Sequence, residues 1–232
     1  MNRYRIGNTH QCLLARFSAI AVALVCVLVI SLPAQASPPI NVSVDWSKTV
    51  AVSKSIPTMM VEVNPLLRQG SPIHETAFAN IRELGARFVR YHATYVWPRL
   101  VVAELDPPTK DKTSWDFSKI DSIVIPFLEA TKGHELVINF NTTPAWKFKT
   151  EHPVPYPSDP DQWAWYFYRE GTEPVDPTGQ QIAEYYARVI SWYARGGFTD
   201  EIGQYHRSGY HYDFPWWEVL NEVEGLPDMT PQ

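Results

Sequence analysis

Hydrophobic residues recur along this chain with two alternating periods. Residues 57–63 form a short apolar run of strand character, ended by Asn64-Pro65. Ser71-Pro72 then has the form of a helix start, with Ser at the N-cap and Pro in the first turn. Ile73, Ala77, Phe78, Ile81 and Leu84 follow at helical spacing, and Gly85 ends the run. Residues 87–91 read as a second strand that runs directly into His92, and residues 93–114 read as a loop. Trp115-Asp116-Phe117 leads to a second helix over 118–132, with Ile120, Ile123, Val124, Phe127 and Leu128 on its apolar side and Gly133 at its end. Pro126 lies inside that pattern, so the helix should kink there or start later. Residues 135–140 are a third strand, nearly continuous in apolar residues, as in parallel sheets covered on both faces.

Residues 141–175 lack periodicity but carry Trp146, Phe148, Tyr156, Trp163, Trp165, Tyr166, Phe167 and Tyr168. A long loop this rich in aromatics is expected to be ordered and functional. Asp176-Pro177 opens a third helix whose stripe is Ile182, Tyr185, Tyr186, Val189, Ile190 and Tyr193, with Gly196-Gly197 at its end. After a polar stretch, residues 214–220 read as a buried strand that stops on Asn221-Glu222.

Strand, helix, strand, helix, strand, helix, strand implies an α/β fold with parallel strands and right-handed crossovers. A doubly wound sheet and half of a (β/α)8 barrel both fit. No Gly-rich phosphate fingerprint follows a strand, which weakens the nucleotide-binding sheet. Polar residues instead collect just past the strand ends, at Asn64, His92, Asn141 and Asn221-Glu222, where a barrel carries its chemistry.

The N-terminus changes the picture of location. Arg3, Arg5 and Arg16, an apolar stretch over 17–32 and Ala34-Gln35-Ala36 predict a secretory signal peptide over residues 1–36. The alternative is an uncleaved membrane anchor. Residues 37–56 then form an N-terminal arm and 57–232 a catalytic domain, in a protein that is secreted, periplasmic or extracellular. Both cysteines, Cys12 and Cys26, fall in the leader, so thiol catalysis and thiolate metal sites are excluded from the mature part. Without the three arginines of the leader, 17 basic residues face 25 acidic ones, a formal charge of −8. No basic cluster stands out, so nucleic acid and anionic membranes are poor partners, and no stable membrane association is expected after cleavage. Aromatic residues make up 13% of the chain, with nine Trp, whose flat faces suit sugar rings as well as large cores. His206, His211 and Asp213 have no strong metal-site spacing, so neither a metal nor any other cofactor is expected.

Four segments carry a resemblance. Asn221-Glu222 after Trp217-Glu218-Val219-Leu220 looks like the fourth-strand signature of the large clan of retaining glycoside hydrolases with (β/α)8 barrels. Val89-Arg90-Tyr91-His92, Trp115 to Asp121, and Asn139 to Trp146 resemble, in order, segments of glycoside hydrolase family 39. The resemblance implies the N-terminal half of a TIM barrel, about four β/α units, acting on a glycan or glycoside. It makes Glu222 the general acid/base, a role that needs a carboxylic acid kept neutral near working pH, and Trp216 and Trp217 are suited to raising its pKa. It makes Asn221 a donor to the sugar hydroxyl beside the reacting carbon, and His92 a sugar-binding residue. Asn141 and Trp146, at the exit of strand three, complete the expected substrate contacts, with Trp146 as the first sugar platform. Glu218 is expected to face the same side as Glu222, buried and paired with Arg90, and Glu224 to be solvated or helix-capping.

A retaining mechanism needs a second carboxylate about 5–5.5 Å from the first as nucleophile. In that clan it ends strand seven, and this chain has no such strand, so no nucleophile is assigned. A fragment of a longer enzyme and the product of a truncated gene are both open. A non-catalytic secreted carbohydrate-binding protein is the rival function. Relatives of this type act on xylosides, iduronides and other glycans, and the substrate is not read from these residues.

Overall fold

The computed structural model describes residues 40–93, 96–154, 156–164, 173–219 and 221. The expected leader and Glu222 lie outside the described residues, as do Glu224, Trp165, Tyr166, Phe167 and Tyr168. The chain divides into two units, Met1–Ser53 and Lys54–Gln232. In the first, residues 40–53 are exposed and without regular structure beyond one turn.

The second unit is a mixed α/β structure built on a parallel sheet. Its elements are β1 (Thr58–Glu62), α1 (His74–Leu84), β2 (Phe88–His92), α2 (Ser118–Ala130), β3 (Glu135–Asn139), α3 (Gln180–Ala194), β4 (Gly197–Thr199), β5 (Tyr205–Arg207) and β6 (Trp216–Glu218). The four-stranded sheet runs β1-β2-β3-β6, all parallel. Register aligns Val61, Tyr91, Ile138 and Trp217 on one face, and Met60, Arg90, Val137 and Trp216 on the other. The first face is the core side: Val89, Tyr91, Leu136 and Ile138 are buried, and the Tyr91 and Phe127 rings lie 5.0 Å apart. The second keeps Met60, Phe88 and Trp216 exposed.

The helices pack by most of the expected stripes: Phe78 and Ile81 of α1 are buried, whereas Leu84 is exposed and Ile182 of α3 is half-buried. Ile120, Ile123, Val124, Phe127 and Leu128 of α2 are buried, as are Tyr185, Tyr186, Val189, Ile190 and Tyr193 of α3. Asp121 ties the two helices, accepting from Tyr193 Oη at 2.8 Å and from Trp192 Nε1 at 3.1 Å. Pro126 lies within α2, which starts at Ser118, so a later start is ruled out. Proline has no N–H, so the Ser122 carbonyl four residues earlier has no helical donor. That carbonyl accepts from the Gln69 amide at 3.1 Å, in the loop before α1.

Several sequence expectations are corrected. Ser71 does not cap α1: its hydroxyl bonds the Leu66 carbonyl, a turn takes up residues 69–73, and the helix begins at His74. Ile73 is therefore outside the helix and exposed. Asp176 does cap α3, but across a turn: its carboxylate accepts from the Gln181 amide at 3.0 Å and the helix starts at Gln180. Residues 100–104, assigned to a loop, are all buried, and the Ala103 amide donates to Tyr185 Oη at 3.1 Å. The polar stretch after α3 holds the hairpin β4–β5, paired antiparallel. Nor is the last strand buried. It spans three residues, and Trp216 and Trp217 are 65% and 52% exposed, because β6 is an edge strand. Their expected effect on Glu222 falls outside the described residues.

Candidate functional site

Parallel strands bring their C-terminal ends to one side, and register places Glu62, His92, Asn139 and Glu218 in a single row there. The ladder continues past the strand ends. Val63 N–H donates to the His92 carbonyl, Ala93 N–H to Asn139, and Phe140 N–H to Glu218, at 2.9, 3.2 and 3.1 Å. The row is thus held by backbone on both sides. Arg90 precedes His92 by two residues, so it shares that face one step deeper.

Arg90 is the centre of the arrangement. Its Nε donates to Glu218 Oε2 at 2.8 Å, and one terminal nitrogen donates to Asn221 Oδ1 at 2.7 Å. The other lies 3.2 Å from Met60 Sδ. The expected Arg90–Glu218 pair is present, but neither side chain is buried: they are 28% and 38% exposed. Burial pushes the Glu218 carboxyl up. Hydrogen bonds from Arg90 and Asn139, and the charges of Arg90 and His92, outweigh it and hold the group below the usual range. Glu218 is therefore a fixed anion, suited to orienting a cation and unsuited to donating a proton near neutrality.

His92 and Asn141 meet each other. Asn141 Nδ2 lies 3.2 Å from His92 Nε2, and the Thr142 hydroxyl lies 3.1 Å from Asn141 Oδ1. Asn141 is 5% exposed, so its part is to hold His92 from beneath. Trp146 sits apart from this group. Its Nε1 donates to the Glu104 carbonyl at 3.1 Å, and Lys147 Nζ covers its ring at 3.9 Å from the centroid. The ring borders a pocket of about 580 Å³ with Arg99, Asp106, Phe148, His152 and Tyr156. Of the predicted contacts, the structure gathers Asn221 with Arg90, and His92 with Asn141. Trp146 belongs to the neighbouring pocket.

Two features were missed in the sequence. Arg90's bond to Asn221 has only a weak signal there, its place two residues before His92. Glu104 and Lys147 have none, since both sit in segments without periodicity. Glu104 is fully buried, and neither carboxylate oxygen has a hydrogen-bond partner among the described residues. Burial, reinforced by Glu201 and Asp200, pushes its pKa to about 8, although Lys147 and Arg188 pull it partly back. Lys147 is 3% exposed, and burial pushes its amine down against the pull of Glu104 and Glu201.

His206 Nε2 bonds Asp200 Oδ2 at 2.8 Å within the hairpin. Among the described residues no group of three or more His, Cys, Asp or Glu is placed to hold a metal ion. Among them, too, no helix is long and apolar enough to cross a membrane. No protein-family model, curated protein or solved structure matches the chain.

Proposed function

We propose that the chain is the N-terminal half of a (β/α)8 barrel of a secreted retaining glycoside hydrolase, with Glu222 as its general acid/base. The observation that carries this reading is the polar cluster of Arg90, His92, Asn139, Glu218 and Asn221. It lies at the C-terminal ends of parallel strands, on the face where Met60, Phe88 and Trp216 remain exposed. The strands follow one another in chain order across the sheet, with no reversal. A doubly wound sheet reverses its order at a switch point, whereas a barrel proceeds in one direction. In the barrel reading the exposed face turns inward, and four further strands supply the nucleophile.

The roles follow from the chemistry. A glycosidic oxygen leaves well only when protonated, which is the task of Glu222. Asn221, one residue before it, is held to donate to the hydroxyl beside the reacting carbon, a bond that tightens in the transition state. Glu218 cannot replace Glu222 as the acid, because Arg90 and Asn139 hold it ionised.

In the complete barrel, Glu222→Gln is expected to slow hydrolysis of alkyl glycosides, which have poor leaving groups, by about 10²-fold or more. Aryl glycosides with good leaving groups should be affected less in the glycosylation step, and the thermal midpoint should be unchanged. Full activity on alkyl glycosides in that variant removes Glu222 from the mechanism.

A further inference from the structure

We propose that Glu104 and Lys147 form a proton-operated latch behind the Trp146 indole. While Glu104 keeps its proton, the Lys147 ammonium rests on the ring. Once the proton leaves, the carboxylate draws the ammonium off and the wall of the neighbouring pocket is freed. Glu104 is fully buried, and neither of its carboxylate oxygens is hydrogen-bonded among the described residues, so Lys147 does not sit on it. Lys147 Nζ instead stands 3.9 Å from the centroid of the Trp146 ring and 5.6 Å from that of Tyr185. Trp146 borders the pocket of about 580 Å³ and Lys147 does not, so the ammonium lies behind the ring. Leu105 and Asp106, which follow Glu104 in sequence, line the same pocket, and the Glu104 carbonyl holds Trp146 Nε1 at 3.1 Å. Glu104 thus grips the indole by its backbone and acts on the cation at its face by its side chain.

The other groups facing this pair are committed. They are Asp200 and Glu201 beside the β4–β5 hairpin, and Glu184, Tyr185 and Arg188 on α3. Asp200 accepts from Thr113 Oγ1 and from His206 Nε2, both at 2.8 Å. Arg188 donates to Glu201 at 2.6 Å, to the Thr199 carbonyl at 3.1 Å and to Glu184 at 3.5 Å. Tyr185 Oη accepts from the Ala103 amide, and burial keeps its proton on. Lys147 Nζ, by contrast, is held by ring faces alone among the described residues. Its backbone is fixed: the amide donates to the Pro144 carbonyl at 3.0 Å, and the carbonyl accepts from the Val175 amide at 2.8 Å. The flexible side-chain stem is therefore the moving part. In a buried setting a carboxylate attracts an ammonium more strongly than a ring face does. Ionised Glu104 also favours the charged amine, so Lys147 keeps its proton as Glu104 gives up its own.

The test is ¹H–¹³C NMR of the chain across the Glu104 transition, from about pH 6 to about pH 9.5. The Lys147 ε-methylene signal, assigned through its own backbone amide, should start upfield in the indole ring current. It should move downfield with a midpoint near pH 8 in the wild type and stay upfield in Glu104→Gln. A signal that keeps one position in the wild type, or moves equally in Glu104→Gln, overturns the latch. If Glu104→Gln does not fold, the wild type decides alone. The Glu104 carboxyl carbon and the Lys147 methylene must then titrate with one midpoint, and separate midpoints overturn the coupling. Release of the wall is read from solvent exchange of the Trp146 indole N–H, referenced to that of Trp192 at the same pH. The ratio should rise about tenfold above the transition in the wild type. An unchanged ratio overturns the release.

Discussion

Glu104→Gln is expected to flatten the pH dependence of stability between about pH 4.5 and pH 8, and to make the protein more stable than the wild type at the upper end of that range. The sign follows from proton counting. Glu104 ionises at an ordinary pKa of 4.5 when exposed and at about 8 in the folded protein, because burial disfavours its charge. Between these values the folded state holds a proton that the unfolded chain has lost, so stability falls as pH rises. The full shift corresponds to a loss on the order of 4 kcal/mol across the window. Glutamine keeps the shape and cannot ionise, so that slope should disappear. Lys147 acts in the opposite sense: its depressed pKa makes stability rise with pH toward 10.5, and that limb should persist in the variant. Urea unfolding at half-unit pH intervals measures both. Parallel curves for wild type and Glu104→Gln would mean that Glu104 is paired and charged in the folded protein.

The other large effect belongs to Gly197→Ala. Gly197 adopts φ +142°, in a region that residues with a side chain rarely enter. A Cβ there would lie 2.1 Å from the His206 carbonyl oxygen and 2.9 Å from Tyr205 Oη. The clash is with backbone of the paired strand β5, which cannot rotate away, so β4 and β5 must separate. Strain and overpacking together are expected to cost roughly 4 kcal/mol, measured as a lower denaturation midpoint. Gly209→Ala is the comparison. Its φ is +77° and among the described residues no atom lies within 4 Å of a Cβ, so only the backbone preference of about 1 kcal/mol applies. Equal losses at the two positions would show that the hairpin yields easily.

The sequence pattern revealed the parallel α/β order because each strand and helix has its own period and the loops between them carry Gly and Pro. The apolar stripe of α2, and that of α3 apart from the half-buried Ile182, matched the buried residues for the same reason. Element starts were less legible. Ser71 has the right chemistry for a cap, but the Leu66 carbonyl competes for its hydroxyl, and a local rule does not register that competitor. The hairpin was hidden because its strands are three residues long and carry Gly, His and Arg. At the site, an inward-facing carboxylate at Glu218 called for a cation, and Arg90 was the partner suggested for it. The bond from Arg90 to Asn221 depends on where the backbone goes after β6, which no period encodes. Burial at β6 was overestimated, because an apolar run read alone does not say whether a neighbouring strand covers it.

Pro126 shows how a residue can act against its own element and still add order. By local preference it weakens α2, yet the carbonyl it leaves open is the one that receives the Gln69 amide. The effect is that of a keyway. Had residue 126 an N–H, Ser122 would have a partner inside its own helix, and the Gln69 amide ahead of α1 would have to share that carbonyl. A substitution that looks like an improvement when α2 is taken alone, such as Pro126→Ala, would therefore remove an instruction about how α1 approaches α2. The proline carries information about a neighbour, and its meaning is lost when the helix is read by itself.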